Sequence, residues 1–137
     1  MKFKFVIAGF ALLSISLSIG SILVNAQSKS TWKAPEKAKK LENPLKPSDR
    51  VLKAGDQIFK QLCTVCHGKA GKGDGIAAAS LNPKPANLTS EIVQKQTDGE
   101  IFWKIDQGRS PMPTFKNQLS EKQIWAVVDY IRTLKPK

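Results

Sequence analysis

Five consecutive residues, Cys63-Thr64-Val65-Cys66-His67, constrain this chain more than any other feature. Two thiols three positions apart on one helical turn can each add to a vinyl group, and the adjacent imidazole can then reach an iron. C-x-x-C-H is accordingly the attachment sequence of a covalently bound c-type haem. Such a chain is expected to fold around its cofactor.

Rival uses of these residues fare worse. A thioredoxin-like redox pair belongs in a βαβ context, whereas the surroundings here are helical and glycine-rich. A structural zinc site needs four ligands, usually Cys and His, and the chain has two Cys and one His in all. Carboxylates or a second chain would have to complete the set. A disulfide between Cys63 and Cys66 suits an exported protein, but that spacing strains the bridge and closes almost no loop. Haem attachment uses both cysteines and accounts for the histidine.

The first residues read as an address. Lys2 and Lys4 form a short positive region, Phe5 to Val24 is apolar, and Val24-Asn25-Ala26 places small residues at signal-peptidase spacing. Residues 1–26 are expected to be an export signal. An uncleaved membrane anchor is the alternative, since about twenty apolar residues span a bilayer, although Ser14, Ser16, Ser18, Gly20 and Ser21 dilute this stretch. Either reading puts the remainder outside the cytoplasm, in the periplasm, where c-type haem is attached. Membrane association is expected only if the leader stays on.

The whole chain carries a formal charge of +11, and removal of the leader leaves 20 basic and 11 acidic residues. Haem propionates subtract up to two charges. This excess favours an acidic docking surface on a redox partner, or an anionic lipid surface. Export and the lack of a binding motif exclude nucleic acid.

Residues 27–48 are rich in Lys and Pro, with Lys37-Ala38-Lys39-Lys40 and Asn43-Pro44-Leu45-Lys46-Pro47, and read as a linker or wrapping arm. Trp32 is the natural anchor if the arm packs. A domain is expected over 49–137. Val51, Gly55, Ile58, Phe59 and Leu62 recur at helical spacing up to the haem motif. The glycine-rich stretch 68–75 then breaks the helix, and Asn82-Pro83-Lys84-Pro85 is extended. Ser90 can cap a helix over Glu91–Gln96, and Asp98 another over Gly99–Gln107 that Gly108 ends. Ser120 with Gln123 fits a capping box for a last helix, with Leu119 and Ile124 as its staple. Val127, Val128, Ile131 and Leu134 continue its buried face, which Trp125 and Tyr130 border. No useful strand alternation occurs, so the class is all-α. About 85 residues bury only a modest core, and without haem the chain is expected to be largely unfolded.

His67 is the sole histidine, which excludes bis-histidine ligation within one chain. Met1 lies in the leader, leaving Met112, between Pro111 and Pro113, as the candidate second iron ligand. Those prolines stiffen the loop and remove amide donors. A core-filling role for Met112 is the ordinary alternative, and lysine or water are the competing ligands. His/Met ligation is a known haem arrangement.

Gly55-x-x-x-Phe59, C-x-x-C-H-Gly, Gly71-Lys72-Gly73-Asp74-Gly75, Gly108-x-x-x-Met112-Pro-x-Phe115 and a final Trp/Tyr-bearing helix together resemble the class I cytochrome c family, particularly small bacterial monohaem domains. The resemblance covers about residues 49–135. It implies four to five short helices around one covalent haem c, and places Gly55 and Phe59 where the first helix crosses the last near Val127 and Tyr130. It also implies a backbone carbonyl, commonly from proline, accepting from the ligand histidine, and Pro83 or Pro85 would supply it here. Trp103, Arg109 and Asn87 are candidates for the haem propionates or the Met112 side, each equally open to a packing or surface role.

The expected function is a periplasmic, monomeric electron carrier that cycles Fe(II) and Fe(III) between acidic redox proteins, without a small-molecule substrate. A haem-bearing subunit docked to a larger oxidoreductase is the alternative. A haem peroxidase or gas sensor would need an open iron position, which a ligating Met112 denies.

Overall fold

Helix is the regular structure of this chain: among the described residues, 32–136 of a computed structural model, there is no strand, only a bridge between Arg109 and Met112. The elements are α1 (Glu36–Lys39), α2 (Asp49–Ile58), a π turn (Phe59–Cys63), α3 (Thr64–His67), a 3-10 turn (Ala78–Ser80), α4 (Glu91–Gln94), α5 (Asp98–Gln107) and α6 (Glu121–Thr133). With α2, the π turn and α3 running as one body, these make five helices, within the expected four to five. The expected leader over 1–26 lies outside the described residues, as does the start of the arm.

Helix ends follow local hydrogen bonding. Ser120 and Gln123 form the reciprocal capping box of α6, with Gln123 N donating to Ser120 Oγ (3.3 Å) and Ser120 N to Gln123 Oε1 (2.8 Å). At α5 the cap is Thr97 rather than Asp98. Thr97 and Glu100 satisfy each other's amides, at 3.2 and 2.8 Å, and Asp98 falls in the first turn. A carboxylate there meets the positive end of the helix dipole, and Asp98 also accepts from Arg132 Nε at 2.7 Å. Ser90 stands at the start of α4, but its hydroxyl donates to the Asn87 carbonyl at 2.6 Å. That helix stops at Gln94, short of the expected Gln96. Thr97 must be extended to cap α5, and the Gln94 and Gln96 carbonyls accept from the Arg132 guanidinium at 3.0 and 2.6 Å.

Helix α6 is the centre of the fold. Ile124, Trp125, Ala126, Val127, Val128 and Ile131 are all buried. Its main partner is α2, and α5 covers another side, where Phe102 stacks on Trp125 at 4.3 Å. Trp125 is therefore core, not a border residue. The α2 crossing is close because Gly55 has no side chain: a Cβ there would lie 2.0 Å from the Ala126 carbonyl oxygen. One turn later Phe59, fully buried, meets the Tyr130 ring at 5.1 Å. Of the rest of the predicted α2 face, Val51 and Ile58 are half-buried and Leu62 is exposed.

The described part of the arm lies on the domain. Ala38 of α1 is fully buried against α5, Asn43 Nδ2 donates to Asp129 Oδ1 at 2.7 Å, and Leu45 packs on the core.

Candidate cofactor site

The π turn sets the direction of the site. Thr64 N donates to the Phe59 carbonyl five residues back, and Thr64 Oγ1 donates to Lys60 O at 2.9 Å. The extra residue turns everything after it by about 100° relative to an unbroken α-helix. Phe59 stays fully buried in the core at the wall of a large cavity, which Cys63, Cys66 and His67 also line. The glycine-rich loop then folds back on the motif: Gly73 N donates to His67 O (2.8 Å), Gly75 N to Cys66 O (3.0 Å) and Ala77 N to Val65 O (2.9 Å). These bonds satisfy carbonyls that the short α3 leaves open.

His67 is oriented through its ring. Nδ1 lies 3.0 Å from the Ala86 carbonyl oxygen, which can only accept, so Nδ1 carries the proton and Nε2 keeps its lone pair. The acceptor is thus neither Pro83 nor Pro85. Both prolines line the cavity, but the carbonyl that meets the ring is the next one, that of Ala86. Burial lowers the His67 pKa, partly opposed by the Ala86 hydrogen bond, and favours the neutral imidazole that a metal requires.

Neither cysteine is in a disulfide. Burial, reinforced by Cys66, pushes the Cys63 thiol up to about 12. A dithiol redox centre shows the reverse, a thiolate stabilised at low pKa.

The cavity is about 980 Å³ and mainly apolar, with Val127, Ile131, Ile105 and Phe115 among its walls. A protein interior packs at near-crystalline density, and a void of this size in so small a domain has the scale of a cofactor site. Both thiols, a neutral imidazole and apolar walls fit haem c.

Met112 lines the same cavity. Arg109 N donates to Met112 O (3.0 Å) and Met112 N to Arg109 O (2.8 Å), closing the proline-flanked loop on itself. Thr114 Oγ1 and Lys116 N donate to the Asp106 carbonyl at 2.6 and 3.1 Å, tying the loop to the end of α5. Arg109 and Asn87 also reach the cavity, although Asn87 Oδ1 accepts from the Thr89 amide and hydroxyl at 2.9 and 2.7 Å. Trp103 does not line it. Trp32 from the arm takes that place, with Trp103 behind it at 6.2 Å. Lys104, half-buried, is a further cavity residue that sequence reasoning missed.

The family model described as "Cytochrome C oxidase, cbb3-type, subunit III" matches residues 50–131. Cytochrome c6 of Euglena gracilis is 32% identical over 79 residues, covering 58% of this chain and 87% of that protein. The cbb3-type cytochrome c oxidase subunit FixP of Bradyrhizobium diazoefficiens is 32% identical over 82 residues, 58% of this chain but 26% of the subunit. Among solved structures, the Kuenenia stuttgartiensis reducing HAO-like protein complex contains a chain that superposes with TM-score 0.62 at 28% identity. The match covers 72% of this chain and 49% of that one.

Proposed function

The chain belongs to the c-type cytochrome family, in the group represented by the cbb3-type oxidase subunit III model, and we propose from that premise that it is an exported carrier of single electrons with His67 and Met112 as the two iron ligands. Bound haem c supplies a one-electron couple between ferric and ferrous iron. Cys63 and Cys66 would hold it through thioethers. His67 offers Nε2 in an orientation locked by Ala86, and the Met112 thioether, soft and uncharged, favours the reduced metal and raises the potential. The rigid loop and locked imidazole keep both ligands in place in either oxidation state, so little reorganisation accompanies transfer. Pro83, Pro85 and the apolar walls would face the bound group and limit its contact with water.

The observation that carries this reading is that Met112 lines the cavity of Cys63, Cys66 and His67. Met112→Ala is expected to retain covalent haem, lower the reduction potential, lose the weak far-red band of methionine-ligated ferric haem and admit CO. An unchanged potential without a CO adduct refutes Met112 as ligand. The match to FixP favours a second reading, a haem-bearing subunit docked to a larger oxidoreductase. The chemistry is the same in both, and partner lifetime separates them.

A further inference from the structure

Trp32 precedes the family-matched residues by eighteen positions, yet it lines the cofactor cavity. Its indole is the meeting point of a small cluster. The Arg109 guanidinium carbon sits 4.9 Å from the ring centroid, Lys104 Nζ 5.7 Å, and the Trp103 ring packs at 6.2 Å, tilted by 58°. Both cations are within cation–π range, and both line the cavity. Arg109 is otherwise an exposed side chain on the Met112 loop. No ion pair to an acid holds Arg109 among the described residues, whereas Lys104 Nζ donates to Gln96 Oε1.

The arm that delivers Trp32 is built to arrive there. Ala34 and Ala38 are buried, and the Ala38 carbonyl rests on Gly99 of α5 so closely that a Cβ on Gly99 would lie 2.0 Å from its oxygen. Further on, Asn43 is bound to Asp129 of α6. The indole is thus located by contacts well away from the cavity.

We propose that Trp32 is a positioning residue of the haem site: its ring holds Arg109 facing the cavity, where the guanidinium pairs with a haem carboxylate, while Lys104 beside it is held by its own bond to Gln96. A cation kept near the iron favours the reduced state, which carries one positive charge fewer. Without the indole, Arg109 swings into water and its field is screened. The inference rests on haem occupying the cavity and is independent of whether Met112 is the sixth ligand.

The test is a double-mutant cycle on reduction potential in the full mature protein. Trp32→Ala lowers the potential, Arg109→Gln lowers it, and the double variant falls no further than Arg109→Gln alone, because the ring acts through the guanidinium. Trp32→Phe keeps an aromatic face and restores most of the loss. Gly99→Ala, which displaces the arm without altering a cavity residue, lowers the potential as Trp32→Ala does. A Trp32→Ala protein at the parental potential overturns the proposal. So does an additive double variant, since that is the signature of general water entry after the arm is lost. Failure of the Met112 reading registers separately, as an absent far-red band in the unmodified protein, while the coupling is still read from the potentials.

Discussion

Asp129 has one carboxylate oxygen, Oδ2, that is buried without a hydrogen-bond partner, while Oδ1 accepts from Asn43. Burial raises its pKa, the nearby Asp98 charge adds to this, and Asn43 partly offsets both. A raised folded pKa means that the native state holds the proton more firmly than the unfolded chain. The corresponding stability is fully present below the ordinary carboxylate range and is lost as pH rises through the raised value. Asp129→Asn removes that loss, and the new amide oxygen still accepts from Asn43. The variant should therefore melt above the parent at pH 7, with the gap closing as pH falls below about 4. Thermal unfolding followed at both pH values measures it, and equal melting temperatures at pH 7 would contradict the assignment. At this scale side-chain chemistry was legible in the sequence: Cys63, Cys66, His67 and Met112 all line one cavity. Backbone chemistry was not. The carbonyl that orients His67 belongs to Ala86, and since every residue offers a carbonyl, residue type alone could not single it out.

Between elements, the α2–α6 crossing turns on Gly55 and its approach to Ala126. A methyl at Gly55 would overlap the Ala126 carbonyl, with Tyr130 Cβ a further 2.9 Å contact, so the helices must part. Gly55→Ala is expected to cost about 3 kcal/mol, at the upper end of ordinary overpacking, even though Ala is the better helix former. Denaturant unfolding of the ferric protein reads this directly, and a loss below about 1 kcal/mol would mean that the crossing adjusts freely. The Ser120/Gln123 box was readable because its two residues bond only each other. Thr97-x-x-Glu100 offers the same pattern, but the adjacent Asp98 is an equally good cap in isolation; its bond to Arg132, thirty-four residues away, engages it elsewhere. The π turn at Phe59–Cys63 left no periodicity to detect, because one inserted residue is invisible in a pattern of threes and fours. The arm's packing was likewise open from composition, since it depends on partners such as Gly99 and Asp129.

For the molecule as a whole, net charge governs how it meets partners. Without the expected leader there are 20 basic and 11 acidic residues, and lysines such as Lys53, Lys72 and Lys116 are exposed. Exposed charges of this kind add little to stability, yet together they steer encounters with an acidic surface and can raise association rates by about 10- to 1,000-fold. Salt at about 0.1 M shortens the range of that field to about 10 Å. A diffusing carrier should consequently react with an acidic redox protein in a second-order process, its rate constant falling by about tenfold or more between low salt and about 0.5 M. A subunit held in a lasting complex behaves differently: transfer within the complex is first-order, independent of partner concentration, and insensitive to salt until the complex dissociates. Stopped-flow reduction against a series of partner concentrations and ionic strengths distinguishes the two. A concentration-independent, salt-independent rate would reject the shuttle and favour the docked subunit. A concentration-dependent rate that ignores salt would reject electrostatic docking, because a surface carrying this excess of positive charge cannot approach an acidic one without feeling it.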